Sequence, residues 1–239
     1  MLKLLASRNE EVCLIEQAII KRAAPGGELS ILEAGCGQRW PLNIGDIKYS
    51  LTGVDLDAEA LRIRTEIAKD LHRGILGDLR EVDFPENSFD VIYSSYVLEH
   101  IDGVEEVLGN FTKWLKKDGI IVIMIPDPEA VRGFITRLSP HWVHVLYYKY
   151  ALGQKNAGKP GYAPYRTIYD KVLYQERFQQ FCTQNGLAID VLAGDGYYQL
   201  GRGKLDLILK AFVRFVSLLS FNKLSADHAN FLYILRKTA

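Results

Sequence analysis

Apolar and polar positions follow two rhythms along this chain. Val12, Ile15, Ile19 and Ile20 recur near helical spacing, so residues 9–23 predict an amphipathic helix that Pro25, Gly26 and Gly27 bring to an end. Residues 29–34 form a short apolar run leading into Gly35, Cys36 and Gly37, and residues 49–54 form a second run that stops at Asp55. Residues 57–71 return to helical spacing, with Leu61, Ile63, Ile67, Ala68 and Leu71 as the apolar positions. Three more runs, 74–76, 89–94 and 119–125, read as strands, with a helix at 104–115 between the last two. Strand and helix alternate through residue 126, which predicts an α/β fold with a mostly parallel sheet. The runs are apolar on both faces, as strands covered by helices on each side must be.

Beyond residue 126 the pattern changes. Gly and Pro recur through 153–164, which reads as a loop. Thr167 followed by Asp170 resembles a helix start, so a helix over 168–185 ending at Gly186 is expected. Residues 187–192 and 230–235 complete a predicted set of seven strands, and 205–221 between them reads as helical.

Ligands bind such sheets beyond the carboxyl ends of the strands, near the switch point. That singles out Gly35 to Gln38, Asp55, Asp78, Ser94 and Ser95, which come from four strand ends. The glycines let the backbone turn tightly and approach a ligand closely. A dinucleotide fingerprint needs Gly at position 40, where this chain has Trp40, and the Gly-Lys-Ser/Thr of a phosphate-binding loop is absent. A nucleotide-like ligand without a pyrophosphate remains. Asp55 can accept both hydroxyls of a ribose, and Asp78 can accept from an exocyclic amino group, which sketches an adenosine. Taken singly, a loop aspartate is more often a solvated turn residue, and it is the four features in register at strand ends that favour a ligand.

Glu33-Ala-Gly-Cys-Gly37, Gly53-Val-Asp-Leu-Asp57, Gly77-Asp78, Phe89 to His100 and Leu115-Lys-Lys-Asp-Gly119 together resemble a class I S-adenosylmethionine-dependent methyltransferase. Their order is similar to the small-molecule branch that includes the quinone-biosynthesis enzymes. The resemblance covers residues 28–126 and implies a Rossmann-like sheet of seven strands, helices on both faces and an antiparallel final strand. It also implies one methyltransferase domain over 1–239, with an acceptor lid at 127–169 and an amphipathic helical insertion at 204–224. Glu33 and the backbone of Gly35, Cys36 and Gly37 would hold the methionine moiety of S-adenosyl-L-methionine. Asp55 would bind the ribose, Leu56 would lie against the adenine, Asp78 and Leu79 would contact its edge, and Ser94 and Ser95 would place backbone near the methionine amine. The third glycine common in the family is Arg39 here.

Methyl transfer from a sulfonium is an in-line displacement with a good neutral leaving group, so alignment supplies much of the rate. A base is needed only for a protonated acceptor. His141 is the first candidate, on the predicted lid beside His144, and His100, at the Leu-Glu-His position, is the second. A small organic acceptor methylated at oxygen is the simplest expectation. A membrane-associated lipid or quinone acceptor, or a non-catalytic scaffold of the same fold, are the alternatives. No metal site and no base-flipping motif for nucleic acid are expected.

The chain has 239 residues with 29 basic and 29 acidic side chains, but the balance is uneven. Residues 201–239 hold seven basic and two acidic side chains. Residues 130–169 hold six basic residues and no acidic one, with His141, Trp142, His144 and many tyrosines, which suits an aromatic or anionic acceptor. A basic rim over an acidic cofactor cleft follows, drawn by Lys149, Lys155, Arg166 and Arg214. Asp206, Lys210, Arg214 and Ser217 form one polar stripe on an otherwise apolar helix. Such a helix could pack on its own domain, lie on a membrane surface, cover a lipid-like acceptor, or form a dimer seam, so the chain is expected as monomer or homodimer. Three scattered cysteines, no signal-peptide pattern and no long apolar span point to a cytoplasmic protein.

Overall fold

The computed structural model describes residues 2–24, 26–151, 153–159, 162, 164–195 and 204–238. Arg202 of the basic tail and parts of the 153–164 loop therefore lie outside the described residues. In chain order the elements are β1 (Lys3–Leu5), α1 (Arg8–Ile20), β2 (Leu29–Ala34), β3 (Tyr49–Asp55) and α2 (Ala58–Arg62), which continues as a wide π-helical turn over Ile63–Ala68. Then come β4 (Arg73–Leu76), β5 (Phe89–Ser95), a short 3-10 turn over Leu98–His100, α3 (Val104–Trp114) and β6 (Leu115–Pro126). The last part holds α4 (Val131–Leu138), α5 (His141–Leu146), α6 (Gln175–Gln184), β7 (Leu187–Asp195), α7 (Lys204–Leu219) and β8 (Asn230–Lys237).

The strands form one mixed sheet in the order β1-β7-β8-β6-β5-β2-β3-β4. Every neighbouring pair is parallel except those of β8, which runs antiparallel to both β6 and β7. This is the expected Rossmann-like α/β fold with an antiparallel final strand. It carries an eighth strand, β1, whose Leu5 pairs with Asp195 at the sheet edge. Three residues are too short a run to show alternation, which is why the pattern of residues did not reveal it.

Local chemistry sets the helices. Ser7 caps α1 by accepting from the Glu10 amide, and Asp57 caps α2 by accepting from the amides of Glu59 and Ala60. In α3, Val104, Val107, Leu108, Phe111 and Trp114 are buried at helical spacing against one face of the sheet. Ile15 and Ile19 of α1 cover the other face with Leu61 and Leu71. Ile120 to Ile125 of β6 are all buried, as a central strand covered on both sides requires.

The expected helix over 168–185 is shorter. Asp170, not Thr167, supplies the cap, and it starts a 3-10 turn over Lys171–Leu173 before α6 begins at Gln175. Tyr169 has φ of 53° just before that cap, which breaks any helix from Ile168. Among the described residues, no helix is long and apolar enough to cross a membrane.

Candidate active site

The ends of β2, β3 and β5 meet at one edge of the sheet, and the glycine loop crosses them. Gly35 and Gly37 both adopt positive φ, 73° and 53°. They do so for different reasons. A side chain on Gly35 would come within 2.2 Å of a Val97 methyl, so this glycine admits close packing of the segment after β5. A side chain on Gly37 would meet nothing within 4 Å, so open space lies in front of the loop. Gly53, beside Glu33 in the β2–β3 register, makes room for Cys36, whose Sγ would lie 2.8 Å from an added Cβ. Burial pushes the Cys36 thiol up to about 12, so it packs and does not react.

Asp55 braces the loop. Its Oδ2 accepts from the Gly37 amide at 2.8 Å and its Oδ1 from the Asp57 amide at 2.9 Å. Each carboxylate oxygen keeps a lone pair for a further donor. Leu56, next in the chain, leaves 74% of its surface exposed beside that carboxylate. The Asp78 carboxylate holds the Arg80 guanidinium at 2.5 Å, and this ion pair keeps its pKa below the usual range. Leu79 differs from its neighbour, since its side chain is buried in the core with Phe84 and Phe89.

Glu33 does not face the open space. Its Oε2 accepts from Arg64 Nη2 at 2.8 Å with both side chains buried. Arg64 also donates to Asp70 at 2.6 Å and to the Cys36 carbonyl at 2.7 Å. A buried cation therefore ties the end of β2, the glycine loop and the turn after α2 into one unit. Burial drives the Glu33 pKa up to about 7, against the opposing pull of Arg64. The pattern of residues did not single out Arg64, although it sits three residues after Leu61 and four before Ala68, on the helix's apolar face. Trp40, which stands where a dinucleotide loop has glycine, packs edge-on against Tyr93 with ring centres 5.6 Å apart.

At the end of β5, the Ser94 hydroxyl is buried without a hydrogen-bond partner, and Ser95 Oγ lies 3.6 Å from Met124 Sδ. His100 is bonded through Nδ1 to the Arg166 carbonyl at 2.9 Å, and the Tyr165 ring packs edge-on at 5.8 Å. Burial lowers the His100 pKa, so the imidazole is neutral near neutral pH. Burial raises the Tyr165 pKa, and the Asp57 and Asp55 charges add to the rise, so this residue lies close to the β3 end. His141 is exposed on α5, its ring 6.5 Å from that of His144. Of the expected basic rim, Arg166 lies at His100, whereas Arg214 lines a separate cavity of about 640 Å³ with Asp127, Glu129 and His228. Among the described residues, no group of three or more His, Cys, Asp or Glu is placed to hold a metal ion.

Farther along the same edge, Glu11, Asp195 and Tyr96 come together over β5 and β7. Burial pushes Glu11 up to about 7, aided by Asp195, while Arg8, ion-paired with it, opposes. Asn230 Nδ2 donates to both Asp195 oxygens, at 2.7 and 2.9 Å. Tyr96 has φ of 56°, a strained value for an aromatic residue at a strand end, and burial holds its hydroxyl protonated.

Residues 32–123 match the family profile described as a methyltransferase domain. Phosphoethanolamine N-methyltransferase 3 of Arabidopsis thaliana is 29% identical over 39% of this chain and 20% of its own length. Phosphatidylethanolamine N-methyltransferase of Cereibacter sphaeroides is 28% identical over 42% of this chain and 51% of its own length. The chain thus spans between a fifth and a half of the relatives it matches. Among solved structures, an S-adenosylmethionine-dependent methyltransferase from Mesorhizobium loti superposes over 92% of this chain and 96% of its own, with TM-score 0.55 at 15% identity. Geranyl diphosphate C-methyltransferase from Streptomyces coelicolor, in complex with S-adenosyl-L-homocysteine, superposes over 94% of this chain and 79% of its own, with TM-score 0.56 at 13% identity. Residues 32–123 thus match a methyltransferase-domain profile, and the fold of the chain is similar to that of solved S-adenosylmethionine-dependent methyltransferases.

Proposed function

We propose that this chain transfers the methyl group of S-adenosylmethionine to a small organic acceptor. The observation that carries the reading is Asp55, oriented by the Gly37 and Asp57 amides beside the free space at Gly37 and the exposed Leu56. That arrangement fits an adenosine: two ribose hydroxyls for the carboxylate, and an apolar wall for the base. When bound, the cofactor supplies an electrophilic methyl on a neutral leaving group. The residues of this chain hold it and exclude water. Gly35, Cys36 and Gly37 offer backbone to the methionine moiety, Asp78 faces the adenine side, and Ser94 and Ser95 end the strand beneath the amine. Glu33 acts one step removed, by holding Arg64 and through it the carbonyl of Cys36.

The acceptor would sit over β5, β6 and β7, next to Tyr96. Oxygen is the simplest acceptor on chemical grounds. Nitrogen is better supported: several relatives are named N-methyltransferases, and the Glu11–Asp195 pair suits an amine that arrives protonated. His100, neutral and close to the strand ends, is the better placed of the two histidines to take a proton. His141, on the outer lid, would act there only after lid closure.

Calorimetry with S-adenosylmethionine tests the reading. Loss of two charge-assisted hydrogen bonds in Asp55→Ala is expected to weaken binding by about a hundredfold or more. Equal affinity in the variant, or no binding by the unaltered protein, would overturn it.

A further inference from the structure

Helix α7 packs on its own domain through a narrow face only. Among its described side chains, Val213 and Ser217 are buried, the Ser217 hydroxyl donating to the Leu224 carbonyl at 2.7 Å. The half-buried Leu209 and Val216 pack beside Val213 against Val131 and Ala229, and Asp206 is half-buried too. Leu207, Ile208, Phe212, Phe215, Leu218 and Leu219 are all exposed, at 49–72% of their surface. At 3.6 residues per turn these six cover one continuous arc of about 140°. Phe221 extends the patch beyond the helix at 88% exposure. Isolated exposed apolar residues need no explanation, but a contiguous patch of this kind marks an interaction surface.

Charge identifies the occupant. Exposed Lys210 and Arg214 run along one border of the arc, and Lys223 follows at the helix's end. Helix α4, packed against α7, carries no acidic residue. The acids Asp127, Glu129 and Asp227 line the cavity beside Ser217, and Arg214, Lys223 and Leu218 border the same cavity, whereas Lys210 stands on the helix away from it. A second copy of the chain would bring like-charged borders together, whereas a layer of anionic headgroups over hydrocarbon matches both the arc and its border.

We propose that α7 lies flat on an anionic lipid bilayer, with its apolar arc inserted at the headgroup boundary and Lys210, Arg214 and Lys223 on the phosphates. The helix has 16 residues, and no helix among the described residues can cross a membrane, so the attachment is peripheral. It stands independently of the reaction proposed above.

Flotation with vesicles tests this without any substrate. Phosphatidylglycerol–phosphatidylcholine vesicles are expected to carry the protein, and phosphatidylcholine vesicles to carry much less. Phe215→Ser with Leu219→Ser is expected to cut the bound fraction about tenfold or more, and Arg214→Glu about fivefold, with unchanged circular dichroism because all three side chains are exposed. High salt should weaken binding. Two results overturn the proposal. One is failure to float with the anionic vesicles. The other is a concentration-dependent dimer, seen by light scattering, that the serine variant abolishes.

Discussion

Arg64 Nη2 stands 2.8 Å from Glu33 Oε2, and neither side chain is open to solvent. The pair lies directly beneath the glycine loop, because Arg64 also holds the Cys36 carbonyl. Removing one partner of a buried ion pair strands the other. Arg64→Met is therefore expected to cost about 3–5 kcal/mol in chemical denaturation. Glu33→Leu combined with Arg64→Met should recover a large part of that loss, since no buried charge is left unpaired and Asp70, the other partner of Arg64, keeps 31% of its side chain open to water. A double variant as unstable as the single one would mean that the bond to Cys36, not the charge pair, dominates.

Gly35 and Val97 fit only because Gly35 has no side chain. Gly35→Ala places a methyl 2.2 Å from Val97 Cγ2 at a φ of 73°. The left-handed backbone alone costs about 1–2 kcal/mol. Adding Val97→Ala should relieve the clash but not the backbone term, so thermal melts should show partial rescue.

Glu99 is buried, and one carboxylate oxygen, Oε2, has no hydrogen-bond partner. Burial drives its pKa from the model-peptide value of 4.5 up to about 8. The folded protein therefore holds this proton where the unfolded chain releases it. Its contribution to stability is greatest below pH 4.5 and is lost as pH rises towards about 8. Glu99→Gln should abolish that part of the pH slope and stabilise the protein by roughly a few kcal/mol at the alkaline end. Melting curves across this range, run on both proteins, decide it. Parallel slopes would show that Glu99 is not the group responsible.

His228 and Asp127 form a second buried pair, with Nε2 and Oδ2 2.8 Å apart. His228 also meets Ser225 Oγ at 3.0 Å, so one ring joins the end of β6 to the loop before β8. His228→Leu leaves the Asp127 carboxylate without this partner and should destabilise the protein by about 3 kcal/mol. His228→Gln, which can still donate, should lose less. Urea midpoints for the two variants give the comparison.

The alternation of strands and helices, the strand-end positions of Gly35, Asp55 and Ser94, and the departure from a dinucleotide loop at Trp40 can all be read along the chain. These were legible because period, turn residues and spacing are local properties of the chain. Tertiary structure alone decided the rest. Leu79 and Asp78 are adjacent, yet one is in the core and the other is ion-paired with Arg80. Glu33 is held by Arg64, a partner thirty-one positions away that no local rule connects to it. The three residues of β1 count as a strand only because β7 offers an edge to pair with. Helix α7 shows the limit most clearly. Its amphipathic pattern was plain, but a pattern specifies two faces and not which one meets the domain. That choice depends on what the neighbouring elements present, and here they meet Val213, Ser217, Leu209 and Val216 and leave Phe212, Phe215, Leu218 and Leu219 outside.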